Sequence, residues 1–283
     1  MLLILAAALL PVVALFVYIY KKDPQPEPLS WLMRALGMGV LIVIPVSFIE
    51  FGIQTLLFGA GMTPTTLFGT TVMAFLVAAL PEEAFKLLAL RHLLKKNPYF
   101  DEHVDGIVYA VCVGLGFAAV ENCLFLFGEE KWQSVAILRA LLSVPGHYAF
   151  AVLMGYYYSV YHFVDHSPKV AARVLLVPVL AHGVFDAIAL SGTVNPYVGG
   201  VGFFVLIYFC VKIHKMAIKR ITDMIEKDQE NPNPNVNLKT PSSSPRGEIS
   251  SRVQEVQEFK DESLDKLGED DNSFRFQVPS FKD

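Results

Sequence analysis

The sequence predicts an all-α polytopic transmembrane helix bundle of about seven spans, followed by a disordered acidic C-terminal tail. Three observations carry that prediction. Hydrophobic residues make up 53% of the 283-residue chain and charged residues only 18%, whereas soluble domains carry about 25% charged residues. The apolar residues fall in blocks near the roughly 20 residues that a helix needs to cross a bilayer, with short charged links between them. Charge is also segregated along the chain. From Ile221 to Asp283 there are 14 acidic and 8 basic residues, and the remainder has 13 acidic and 15 basic. The formal net charge of −4 therefore describes neither part.

The first block, Leu2–Tyr20, is followed by Lys21 and Lys22. A secretory signal places its positive charge before the apolar stretch and a small-residue cleavage site after it. The block therefore reads as an uncleaved first span with the N-terminus outside. Pro24, Pro26 and Pro28 keep the next link from continuing as helix. A second span is expected over Trp31–Phe58 and a third over Thr66–Leu94, opened by Met62-Thr63-Pro64-Thr65 with threonine as cap. Val104–Phe127, Ser134–Tyr161, Val174–Leu190 and Tyr197–Met216 complete the set. With this count, Lys21, Lys22, Arg34, Lys95, Lys96, Lys169, Arg173, Lys215, Lys219 and Arg220 lie on the cytoplasmic side. Such a bias is what the positive-inside rule requires, and an even number of spans destroys it. Pro45, Pro81, Pro145 and Pro178 fall within spans, where prolines mark kinks whose freed carbonyls neighbouring helices satisfy. Beyond Arg220 the stretches beginning at Asn231 and Ser242 are too polar to form a core. Residues 1–220 are thus expected to form the membrane domain and 221–283 a disordered cytoplasmic tail.

The bulk features exclude several classes. No basic cluster is interleaved with aromatic residues, so no nucleic-acid surface is expected. Cys112, Cys123 and Cys210 all lie in apolar segments and form no CxxC pair, which leaves neither a disulfide framework nor a thiolate zinc site.

The third span holds Pro81-Glu82-Glu83-Ala84-Phe85-Lys86. An ionised side chain in the bilayer centre costs roughly 2.5 to 3.5 kcal/mol on insertion scales, so two adjacent carboxylates there mark a site. Residues four apart share a helix face, which lets Lys86 neutralise Glu82. Glu83 points about 100° away, so the two acids are expected to do different jobs. A structural Glu–Lys pair accounts for this motif equally well when it is taken alone. The fourth span contributes Gly114 and Gly116, then Phe117 and Glu121 four apart, and Asn122. Glu121 is a third intramembrane acid that needs its own partner, and Arg139, at the start of the fifth span, is able to pair with an acid. His147 follows Pro145-Gly146 in that span, and His182 and Asp186 stand four apart in the sixth. A lone histidine is more often a satisfied hydrogen-bonding residue, but a carboxylate at this spacing fixes an imidazole tautomer. Glu82, Glu83, Glu121, His147, His182 and Asp186 come from four consecutive spans. Brought around one wet cavity they can activate water and stabilise an oxyanion, or ligate a metal through nitrogen and oxygen. No HExxH and no Gly-Xaa-Ser-Xaa-Gly elbow is present.

Glu82-Glu83-x-x-Lys86, Phe117-x-x-x-Glu121-Asn122 and His182-x-x-x-Asp186 together resemble the PrsW family of intramembrane proteases. Asp105-Gly106-Ile107-Val108-Tyr109, the glycine-rich approach to Glu121, and His147 with Gly155 extend the likeness, which covers roughly Leu2 to Arg220. The resemblance implies a glutamate-dependent multi-span peptidase related to the type II CAAX prenyl proteases. It implies a single-span membrane substrate of the anti-sigma-factor type, cut at site 1, in a bacterial cell membrane. Residue by residue, it gives Glu82 or Glu83 as the base that activates water and His182 as its assistant or oxyanion ligand. Asp186 stands where the CAAX relatives often have Asn, and Glu121 where they have His. No cofactor is required by the sequence, and a divalent metal such as zinc is compatible with it. On the residues alone two other classes stay open, an ion- or proton-coupled transporter and a non-catalytic membrane scaffold. Against the transporter, the two halves of the chain lack paired Gly/Pro-broken half-helices.

Overall fold

The computed structural model describes residues 1–230, and every regular element in them is helical. Of the tail predicted over residues 221–283, the part from residue 231 onward lies outside the described residues. The expected spans appear as α1 (Leu2–Lys22), α2 (Leu29–Gly59), α3 (Leu67–Val72) continuing into α4 (Leu80–Leu94), and α5 (Asp105–Phe127). They continue as α6 (Trp132–Leu138) running into α7 (Val144–Ser159), then α8 (Pro168–Leu190) and α9 (Pro196–Glu230). Six of these rods are long and apolar enough to cross a membrane on length and composition. The seventh, residues 67–94, is about 42 Å long at 1.5 Å per residue. It contains Glu82, Glu83, Lys86 and Arg91 within its second half, and these charges set it apart from the other six.

α5 is the axis of the bundle. Its residues from Asp105 to Ala119 are all buried, with α2, α7 and α1 packed around it. The outward faces of the surrounding helices expose Phe48, Phe51, Leu141 and Phe204, as suits a solvent of acyl chains. Small residues set the close approach at the centre. Gly116 of α5 lies against the Leu36 carbonyl of α2, and Gly155 of α7 lies against the Gly106 carbonyl of α5. In both places an added Cβ meets backbone that cannot swing away. Gly116→Val is therefore expected to destabilise the bundle by about 1–3 kcal/mol, the usual range for overpacking. The check is a lower thermal midpoint in detergent. An unchanged midpoint means that α2 and α5 do not meet there.

Two prolines shape the site. Met73–Ala79 and Arg139–Ser143 are π-helical, and each runs directly into a helix with proline in its first turn, Pro81 in α4 and Pro145 in α7. Proline lacks the N–H that would close the preceding turn, and a widened π turn accommodates the gap. Glu82 and His147 follow these two prolines by one and two residues.

Two helices outrun their expected limits. α8 starts at Pro168, capped by Ser167, whose hydroxyl accepts from the Val170 amide. α9 continues to Glu230, so residues 221–230, placed in the tail by composition, are helical. Ala217, Ile221, Met224 and Asp228 form its buried face. Asp228 accepts from the His103 and Val104 amides at 2.7 and 2.9 Å, which ties the end of α9 to the start of α5.

Candidate active site

Lys86 is the hub of the polar cluster. Its ammonium donates to Glu82 Oε2 at 3.0 Å and to Glu83 Oε1 at 2.8 Å, and lies 3.2 Å from His147 Nδ1. Its charge also sits 4.3 Å from the centre of the Phe117 ring, a cation–π contact. The i,i+4 spacing accounts for the bond to Glu82, and the i,i+3 spacing brings Glu83 to the same ammonium. An ammonium has no acceptor, so His147 Nδ1 must accept. Its Nε2 therefore carries the proton and donates to Glu121 Oε2 at 2.8 Å. One helix pair thereby fixes the tautomer of this ring.

The same Glu121 Oε2 also accepts from Arg139 Nη2 at 2.8 Å. Arg139 Nε donates to Asn122 Oδ1 at 2.5 Å, and Asn122 in turn donates to the Ala8 carbonyl of α1 at 2.8 Å. His182 completes the group. Its Nδ1 lies 2.9 Å from Glu83 Oε1 and its Nε2 lies 3.2 Å from Asp186 Oδ2. The ring satisfies both carboxylates only when both nitrogens carry hydrogen. Phe150 stacks on it at 4.8 Å, and the His147 and His182 rings are 5.2 Å apart. The structure therefore brings Glu82, Glu83, Glu121, His147, His182 and Asp186 together, with Lys86, Phe117, Asn122 and Arg139 bonded to or packed on them.

Beside the cluster lies a cavity of about 760 Å³. Glu82, Glu121, His147, His182 and Asp186 line it, and Glu83 does not. Glu83 is fully buried, and its Oε2 has no hydrogen-bond partner. The two adjacent acids are thus distinct: Glu82 faces open space, and Glu83 anchors Lys86 and His182 from behind. Glu50 of α2 also lines the cavity, with no hydrogen bond or ion pair to another described residue. It is an acid in the middle of an apolar span, and that signal was available in the sequence although the motifs did not include it. Ser47, one turn before it, and Ser143, at the end of the second π segment, are further lining residues without a sequence pattern to announce them.

Glu82, Glu83, His147 and His182 each offer a ligand atom, all within 4.8 Å of one another, and nitrogen and oxygen donors suit zinc. The arrangement nevertheless does not fit a divalent ion. The Lys86 ammonium already bonds to three of the four residues at 2.8 to 3.2 Å. A doubly charged ion held about 3 Å from an ammonium is repelled by on the order of 10 kcal/mol, even at an effective dielectric constant of about 20. The cation at the centre of this donor set is the lysine.

Residues 27–213 match the family described as PrsW family intramembrane metalloprotease. Among similar proteins, Protease PrsW of Geobacillus kaustophilus is 37% identical over 190 residues, covering 66% of this chain and 80% of that one. Protease PrsW of Oceanobacillus iheyensis is 35% identical over 189 residues, with 66% and 83% covered. Protease PrsW of Bacillus subtilis is 35% identical over 188 residues, with 65% and 82% covered. No solved structure matches the chain.

Proposed function

The chain belongs to the PrsW family of intramembrane proteases, and from that footing we propose that it cleaves its substrate with water activated by Glu82. The protein is a multi-pass membrane peptidase that acts in a lipid bilayer. The observation that carries the assignment of the base is the split between the two acids, one lining the cavity and the other sealed behind it.

In the proposed reaction a peptide carbonyl enters the cavity with a water beside Glu82. Glu82 takes a proton from the water as the oxygen attacks the carbonyl carbon. His182, without leaving its place, offers its Nε2–H, which lies 3.2 Å from Asp186 Oδ2, to the developing oxyanion. Glu82 then returns the proton to the leaving amine, and the C–N bond breaks. Preorganised donors of this kind contribute most when they need not reorganise. Glu83 and Phe150 hold the imidazole, and Lys86 holds Glu82. Glu121 and Arg139 fix His147, which supports Lys86 from the far side. The residues form a connected network, which is the reason for a joint role.

The substrate is proposed to be a single-span membrane protein of the anti-sigma-factor type, cut at site 1 in the plasma membrane, with the N-terminus of the protease outside. The positive charge at one end of the bundle, Lys21, Lys22, Lys95 and Lys96, supports that orientation. Co-expression with candidate membrane-anchored regulators, read by mass spectrometry of the fragments, tests the substrate class. A fragment dependent on Glu82 is expected, and one that forms equally with Glu82→Gln overturns the assignment. Because Lys86 takes the place of a metal, cleavage should continue in 1,10-phenanthroline with magnesium retained in the buffer. Loss of activity that zinc restores would reject the metal-free chemistry.

A further inference from the structure

A second acidic cluster lies away from the active site, where the connector from α1 to α2 meets the entry to α5. One carboxylate oxygen from each of Glu27, Asp101 and Asp105 falls within 4.8 Å of the others. Asp105 is fully buried and Glu27 is only 6% exposed. The Asp105 Oδ2 atom accepts from the Asp101 and Glu102 amides at 3.0 and 2.7 Å, whereas its buried Oδ1 has no hydrogen-bond partner. Glu27 Oε2 accepts from the Tyr109 hydroxyl at 2.5 Å. Neither Glu27 nor Asp105 forms an ion pair with any described residue. The nearby helix N-terminus offers only about half a positive charge, too little for the two buried carboxylates of Glu27 and Asp105.

We infer that Glu27, Asp101 and Asp105 form a binding site for a hard divalent cation, of the magnesium or calcium type. All three donors are carboxylate oxygens, the ligands that these ions prefer, with water completing the coordination shell. Thiol and imidazole ligands are missing from the group, so zinc and copper are disfavoured. The site clasps residues from two parts of the chain far apart in sequence. Asp105 opens the same helix that carries Phe117 and Glu121, so the ion would hold α5 in place against the α1–α2 connector.

The test uses the full-length protein in detergent, stripped of divalent ions. Calorimetric titration with MgCl2 and, separately, CaCl2 is expected to show one saturable equivalent for at least one ion. The thermal midpoint should rise with that ion relative to KCl of equal ionic strength. Terbium provides an independent readout: Tyr109, bonded to Glu27, should sensitise its emission, and the preferred ion should displace it. Glu27→Gln and Asp105→Asn should each abolish the saturable binding, whereas Glu82→Gln, at the other cluster, should leave it intact. Should Asp105→Asn not fold, Glu27→Gln decides the matter alone. Absence of both saturable heat and displaceable emission in the native protein overturns the site, as does native-like binding by the folded variants.

Discussion

Glu82→Gln is expected to lower the rate of substrate cleavage by about 10²- to 10⁴-fold, the range that a general base contributes, with the protein still folded. The amide keeps the shape of the side chain and an oxygen able to accept from Lys86, but it cannot take a proton from water. Glu83→Gln should behave differently, because Glu83 lies behind the cavity wall and meets Lys86 at 2.8 Å and His182 at 2.9 Å. Weakening both contacts loosens the imidazole and lowers the thermal midpoint together with a partial loss of rate. Measuring cleavage and midpoint for the two variants and the double amide separates base from anchor. If Glu82→Gln cleaves at the native rate while Glu83→Gln is stable and inactive, the roles are reversed. Full cleavage by all three variants would falsify the dependence on either glutamate.

The rods were legible because the length of an apolar block is a one-dimensional property, and the bilayer converts it directly into helix. The pairs Glu82–Lys86 and His182–Asp186 were legible for a related reason: residues four apart share a helix face whatever the helix packs against. Contacts between helices were not available from spacing. Nothing in the sequence states that Lys86 reaches His147, or that Arg139 holds Glu121 and Asn122. Glu50 was overlooked because it belongs to no repeated pattern, although its charge inside an apolar span was visible. The final helix was cut short at Met216 because the apolar block ends there. Its buried face continues as a sparse stripe through Ile221 and Met224, a signal of periodicity rather than of mean hydropathy. The Glu27 cluster escaped notice because Glu27 and Asp105 meet only after α1, α2 and α5 pack together.

Lys86→Met is expected to be the most damaging single change to the core of the bundle. Methionine fills much of the same space but leaves Glu82 and Glu83 without their shared counter-charge, in a place where both are at most 5% exposed. Removing one partner of a buried ion pair typically costs about 3–5 kcal/mol, because a desolvated charge is left behind. Here two carboxylates and the His147 Nδ1 atom all lose the same donor. Activity should vanish along with stability, and the loss of stability by itself would explain nothing about chemistry. The triple variant Glu82→Gln, Glu83→Gln, Lys86→Met resolves this. With the buried charges gone, its thermal midpoint should recover most of what Lys86→Met loses, a coupling expected of residues in one network. Its cleavage should stay absent, since the base is gone. Lys86→Met also vacates the centre of the four-residue donor set. If zinc then binds and raises the midpoint of this variant but not that of the native protein, lysine and metal are alternative occupants of one position. A Lys86→Met protein as stable and active as the native one would mean that the ammonium organises nothing.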